Sequence, residues 1–225
     1  MSERIPPMGE VEVVDDVAAA FAALVAEEAP ATVALSGGGT ARRCYEALAA
    51  TPGIDWPSVT VLFGDERWVP VVSEDSNEGM ARQVLLDLVD PAEMRSLRGA
   101  GDTPEEAAAA YDTEVAALPG LDLVHLGLGD DGHTASLFPG SPALEIEDRL
   151  VVATGDDAHP HRRLTFTFPA IARARLAVVT VSGSGKADAW LSLCRGESIP
   201  AARIDAGRLL WLVDTAVGAG PRSGS

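Results

Sequence analysis

Four short loops in this chain concentrate residues that can bind anions or move protons. Residues 127–140, GLGDDGHTASLFPG, set Asp130, Asp131 and His133 in a glycine-rich bend directly after an apolar run. Three chemistries suit such a bend. Gly127, Gly129 and Gly132 match G-x-G-x-x-G, the turn that cradles a dinucleotide pyrophosphate. Asp131 and His133 could instead ligate a metal ion. In the third reading His133, with an unperturbed pKa of ~6.5, accepts a proton while Asp131 fixes its ring and stabilises the imidazolium.

The first two readings fit poorly. Two carboxylates stand where a pyrophosphate needs positive potential, and Pro139 and Pro142 leave little length for the helix that should follow. No HExxH-like or Cys/His pairing accompanies the aspartate and histidine. His125 lies inside the apolar run, and His159 and His161 flank Pro160. A general base with its carboxylate remains. Ser136 is an alternative nucleophile, but no G-x-S-x-G elbow surrounds it, and water activated by His133 is the simpler mechanism.

The other three loops offer cations and N–H groups. In residues 36–40, SGGGT, the backbone of Ser36, Gly37 and Gly38 can approach an anion at a helix start, and Thr40 adds a hydroxyl. The plain alternative is a tight strand-to-helix turn. In residues 64–68, GDERW, Arg67 could clamp a phosphate with its planar fork or pair with Asp65 and Glu66. Residues 182–187, SGSGKA, look like the end of a P-loop. Thr180, however, stands where the first glycine is required, and Ala187 replaces the magnesium-binding hydroxyl, so ATP binding is not expected. Lys186 is the only lysine among 17 basic residues. At a helix start the dipole disfavours a cation, so its placement suits an anionic partner, with a solvated side chain as the alternative.

The surrounding pattern supplies the elements that must hold these loops. Residues 13–28 carry helical apolar spacing, and the first strand is expected near residue 31, running into the glycines of SGGGT. Residues 41–50 read as a helix and 59–69 as one strand. Residues 76–89 read as a helix capped by Ser76 or Asn77, and 103–118 as a helix capped by Thr103 with Pro104 behind it. Further strands are expected at 121–129, 163–168, 176–182 and 208–214, with a helix over 184–194. This alternation predicts an α/β fold: a mostly parallel, Rossmann-like sheet with helices on both faces, in a single domain over residues 1–217. In such sheets the strand-to-helix loops gather at the carboxyl ends, which would bring all four loops to one rim. Residues 218–225 are expected to form a disordered tail.

Composition narrows the partners. With 225 residues and 47% apolar content, the chain can build a full core without disulfides or metal. A formal charge of −17 argues against nucleic acid, whose phosphates need clustered Lys and Arg. No apolar run reaches the ~20 residues of a membrane span, and the acidic N-terminus lacks signal-peptide character. Two cysteines far apart, Cys44 and Cys194, suit a reducing, cytoplasmic setting. No obligate protein partner is expected.

Taken in order, SGGGT, FGDERWVP with DSN, GLGDDGHTASLFPG, RLTFTFPAI, GSGKA and IPAARI resemble the 6-phosphogluconolactonase family over about residues 10–215. DGHTASLFPG is the most specific element. The resemblance implies the α/β fold of sugar-phosphate isomerases and hydrolysis of 6-phosphoglucono-δ-lactone to 6-phosphogluconate, without metal or organic cofactor. It places His133 on the family's general base and Asp131 on its neighbouring carboxylate. Ser36, Gly37, Gly38, Thr40, Arg67, Lys186 and Arg163 fall on substrate- or phosphate-contacting positions. Two residues depart from the pattern: Gly39 where serine is usual, and Asp130 where proline is usual. Asp130 then either raises the pKa of His133 or faces water.

Two rivals are weighed against this reading. Glucosamine-6-phosphate deaminases resemble the pattern but carry a glutamate a few residues after the histidine, where this chain has Leu137 and Phe138. A non-catalytic sugar-phosphate sensor would bring a basic DNA-binding segment, which the N-terminal residues do not provide.

Overall fold

The computed structural model describes residues 9–99, 101–155 and 160–218. The expected tail from residue 219 onward, and His159, lie outside the described residues. Among the described residues ten strands form: β1 (Glu10–Val14), β2 (Thr32–Leu35), β3 (Thr60–Phe63), β4 (Asp65–Arg67), β5 (Glu93–Met94), β6 (Leu121–Gly127), β7 (Val151–Thr154), β8 (Arg163–Phe166), β9 (Ala174–Val181) and β10 (Leu209–Asp214). The helices are α1 (Val17–Glu28), α2 (Gly38–Ala50), α3 (Asn77–Ala81), α4 (Asp87–Val89), α5 (Pro104–Ala116), α6 (Phe168–Ile171), α7 (Ala187–Cys194) and α8 (Thr215–Gly218). A π-helical turn, Arg82–Leu86, joins α3 to α4.

Seven strands pair in the order β1-β10-β9-β6-β2-β3-β5, all parallel. Past their first residues the central strands are mostly apolar and buried, as parallel strands covered on both faces must be. Register identifies the two faces. His125, Val178 and Leu210 align across β6, β9 and β10, so their side chains share a face, and Trp211 points to the other. Phe21 of α1 stacks on His125 at 4.2 Å between ring centroids, and Tyr45 of α2 meets the same ring edge-on. Trp190 of α7 meets Trp211 at 5.8 Å. Helices therefore cover both faces, as the sequence pattern predicts.

Local chemistry explains the helix starts. Asp16 accepts from the N–H groups of Ala18 and Ala19, Ser76 caps α3, and Thr103 with Glu106 closes a full capping box on α5.

Three expectations need correction. Residues 13–14 belong to β1, not to the first helix, and β1 precedes the strand expected near residue 31. The valines of EVEVV alternate with acids at period two, and Asp16 resets the chain into α1. Residues 59–69 do not form one strand. Gly64 passes the chain from β3 to β4, its N–H bonding the Leu35 carbonyl at 2.7 Å while its own carbonyl accepts from Phe166. Beyond it, β4, β8 and β7 make a separate antiparallel sheet, so RLTFTF lies outside the parallel one.

Chain order reverses direction between β2 and β6. From β1 at one edge the chain crosses to β2 and runs through β3 and β5 to the opposite edge, then returns through β6, β9 and β10 to lie beside β1. That crevice is where open α/β sheets bind ligands.

Candidate active site

The cleft at this crevice is lined by all four loops, with Gly38, Arg67, His133, Arg163 and Lys186 among its walls. Each expected site residue except Asp131 lines it directly, and Asp131 stands behind His133.

The loop after β2 delivers a bare helix end. Gly37 occupies the N-cap of α2, and no side chain caps it, so the first N–H groups of a thirteen-residue helix face the cleft. Gly37 is needed for space: a Cβ there would overlap the Asn77 amide. Gly38 is needed for conformation, with φ of 91°. Beneath the loop, the Tyr45 hydroxyl accepts the Ser36 N–H at 2.6 Å and lies 3.1 Å from the Ser36 carbonyl. It also lies 2.9 Å from His125 Nδ1, and His125 Nε2 lies 2.9 Å from the Thr180 hydroxyl. Burial pushes the His125 pKa down to about 3, so the ring is neutral. Every group is satisfied if Thr180 donates to Nε2, Nδ1–H donates to Tyr45, and Tyr45 donates to the Ser36 carbonyl.

The loop after β6 builds a dyad. Asp131 Oδ1 accepts the backbone N–H of His133 at 3.0 Å and meets its Nδ1 at 2.6 Å. Burial works against the Asp131 charge, but the His133 backbone N–H, charge and ring outweigh it and hold the carboxyl below its ordinary pKa. An ionised carboxylate only accepts, so Nδ1 carries the proton and Nε2 is the ring atom left to take or give the second one. The glycines seat this ring rather than a dinucleotide. A Cβ on Gly129 would overlap the imidazole, and Gly129 N–H closes the loop onto the His133 carbonyl at 2.8 Å. Phe138 supports the ring at 4.6 Å. Ala135, also on the cleft wall, holds a left-handed φ of 48°, a strained setting for a residue with a Cβ. Ser136 is fully buried and donates to Asp65 at 2.8 Å, so it is locked in structure and not offered to the cleft.

Arginines come from the small sheet. Arg67 does not pair with its acidic neighbours; its Nη1 donates to the Asp75 carbonyl at 2.7 Å. Glu66 is buried, where it takes N–H bonds from Arg67, Asn77 and Glu78 and the Ser76 hydroxyl. Burial raises its pKa against those four donors. Arg163 stands opposite Arg67 in the β4–β8 register, its guanidinium 5.2 Å from the Phe138 ring centre.

The loop after β9 carries Lys186, which heads α7. Asp214 fixes that loop by accepting from the Ser182 hydroxyl at 2.7 Å and from Gly183 N–H at 2.6 Å. Lys186 Nζ pairs with Asp130 Oδ1 at 2.5 Å. Asp130 does face water, but it also has a partner that neither expectation for it included.

Residues 10–211 match the family model described as glucosamine-6-phosphate isomerases/6-phosphogluconolactonase. The chain belongs to this family. It is 43% identical over 209 residues to a 6-phosphogluconolactonase of Synechocystis sp., covering 86% of each chain. To that of Mycobacterium tuberculosis it is 38% identical over 214 residues, covering 87% of each. Among solved structures, a 6-phosphogluconolactonase from Shewanella baltica superposes with a TM-score of 0.81 at 27% identity, over 92% of this chain and 97% of the other. A monomeric glucosamine-6-phosphate deaminase shares the fold alone, at 19% identity and a TM-score of 0.80.

Against the family pattern, Gly39 leaves open space where a serine would fit. Leu137 and Phe138 are both buried, and Phe138 is the shelf under His133 and Arg163. Sequence reasoning missed Asn77 as a cleft residue, where its amide donates to the Asp65 carbonyl at 2.9 Å. It also missed the Tyr45–His125–Thr180 chain, whose one visible signal was a histidine inside an apolar strand. Among the described residues no helix is long and apolar enough to cross a membrane, and no three His, Cys, Asp or Glu side chains gather around a common point.

Proposed function

We propose that the chain hydrolyses 6-phosphoglucono-δ-lactone to 6-phosphogluconate. The observation that carries this reading is the dyad: an imidazole with Nδ1 held by a carboxylate, placed beside a cationic cleft at an uncapped helix N-terminus. The phosphate docks among the N–H groups of Ser36, Gly37 and Gly38, the Thr40 hydroxyl, and the cations Arg67, Arg163 and Lys186. That anchoring sets the lactone carbonyl near His133. His133 Nε2 takes a proton from water as the oxygen attacks C1, and Asp131 stabilises the imidazolium. Backbone N–H groups or a neighbouring cation stabilise the oxyanion. The C1–O5 bond then breaks, and the imidazolium returns the proton to the departing ring oxygen. The carboxylic acid so formed at C1 then releases its proton to solvent, which gives 6-phosphogluconate.

A deaminase reading is weaker. The position where a ring-opening acid is wanted holds Leu137 and Phe138, both inside the protein.

The test is a coupled assay on freshly prepared lactone, with spontaneous hydrolysis subtracted. His133→Ala should lower kcat by about 100-fold or more with KM changed little. Near-parental turnover in that variant, or equal activity of the parent on the unphosphorylated lactone, defeats the reading. Ammonia release from glucosamine-6-phosphate would restore the deaminase.

A further inference from the structure

We propose that Asp130 competes with the substrate's phosphoryl group for Lys186 and so sets the affinity of the cleft for phosphorylated ligands. The inference rests on the reading that Lys186 holds the phosphate.

Several observations lead to it. Lys186 lines the cleft, and among the described residues its ammonium makes one hydrogen bond, to Asp130. That bond joins the loop after β6 to the loop after β9 across 56 residues of sequence. The neighbouring acid is placed differently, with Asp131 Oδ1 taking both the backbone N–H and the ring Nδ1 of His133. Arg67 is tethered differently, to a neutral carbonyl, so it keeps its full charge for a ligand. Asp130 itself is 77% exposed, and Lys186 is its only hydrogen-bond partner among the described residues.

An incoming phosphate has two routes, and Asp130 opposes both. If the phosphate displaces Asp130, the ion pair is broken. If Asp130 stays, its carboxylate and the phosphate share one ammonium, and two like charges face each other a few ångströms apart. The penalty is modest because the pair is open to water, where such contacts shift equilibria by about two- to five-fold. A modest penalty is useful here. The ammonium is kept over the cleft while it is empty, and it exchanges partners readily when a dianion arrives. An unphosphorylated sugar brings no group able to displace Asp130, so the pair stays closed against it.

The test uses the full chain with Asp130→Asn, Lys186→Met and the double variant. KM is measured for the phosphorylated and unphosphorylated lactones, and Ki for inorganic phosphate as competitor. Asp130→Asn should lower both the KM for the phosphorylated lactone and the Ki for phosphate by about two- to five-fold. The KM for the unphosphorylated lactone should stay within error. The gain should shrink at high salt and vanish on the Lys186→Met background. A raised or unchanged KM, an equal shift for the unphosphorylated lactone, or a gain that survives without the lysine would overturn the proposal. If Asp130→Asn does nothing while Lys186→Met abolishes phosphate discrimination, only the competition is wrong. If Lys186→Met leaves discrimination intact, the phosphate assignment of Lys186 falls with it.

Discussion

Replacing Tyr45 by Phe removes one oxygen and tests whether the chain beneath the glycine loop positions it. That oxygen serves the Ser36 N–H, the Ser36 carbonyl and His125 Nδ1, all out of reach of water. The carbonyl can tolerate the loss better than the two nitrogens. Each buried donor left unsatisfied costs ~1–3 kcal/mol, so two of them predict a loss of roughly 2–4 kcal/mol allowing for local relaxation. For a chain of this length that corresponds to a Tm lower by roughly 4–16 °C. The phenyl ring still fills the same volume, so no cavity term is added. With Ser36 no longer pinned, the N–H groups of the glycine loop spread away from their common focus. KM for the phosphorylated lactone should then rise by roughly 3–10-fold, which is ~0.7–1.4 kcal/mol of lost binding. Turnover at saturation should change less than twofold, because the Asp131–His133 dyad is built on another loop. Denaturant melts and initial rates on both lactones are the assay. Two results would refute the reasoning: stability within about 0.5 kcal/mol of the parent, or a fall in kcat with KM unmoved.

The remaining predictions concern pH and space. His125 has a folded pKa of about 3, below its unfolded value of about 6.5, so the unfolded state binds the extra proton between them. Its contribution to stability is complete above pH ~6.5 and is lost as pH falls toward 3, at up to ~1.4 kcal/mol per unit. Urea melts of His125→Gln should show a flatter dependence between pH 6 and 4 than the parent; equal slopes would count against the buried neutral ring. Gly37→Ala places a Cβ on the Asn77 amide and should disturb both the glycine loop and the Asn77–Asp65 bond, raising KM by several-fold. Gly39→Ser, two residues on, meets open space and should gain a few tenths of a kcal/mol from its better helix propensity, with activity retained. A thermal melt and one rate measurement on each variant separate the two glycines.

Legibility in the sequence followed the range of the forces involved. Apolar runs and helical spacing located β2, β3, β6, β9, β10 and most helices, because those patterns report directly on burial, whereas β1 and the two-residue β5 at the sheet's edges were not located. Loops with unusual chemistry after strands could be assigned to one rim for the same topological reason. Gly64 defeated the pattern: VTVLFGDERWV reads as one strand flanking a charged centre, and only the hydrogen bonds to Leu35 and Phe166 reveal that the chain changes sheets there. The same holds for Asp130. Its partner is 56 residues away, and spacing carries no information about a contact made through the third dimension. Tyr45 and Asn77 read as an ordinary helix residue and an ordinary cap until the neighbouring loops are in place.

The crossing at Gly64 also divides the cleft between two bodies. The dyad, the glycine loop and Lys186 hang from the seven-stranded sheet, whereas Arg67 and Arg163 ride on the three-stranded one. A ligand gripped by both sets of cations acts as a clasp across that seam. Its arrival would be felt as slower amide exchange at Phe166, whose N–H bonds the Gly64 carbonyl at the joint, well away from the reacting atoms. Such a division also lets the arginine platform be altered while the Asp131–His133 dyad stays on its own foundation.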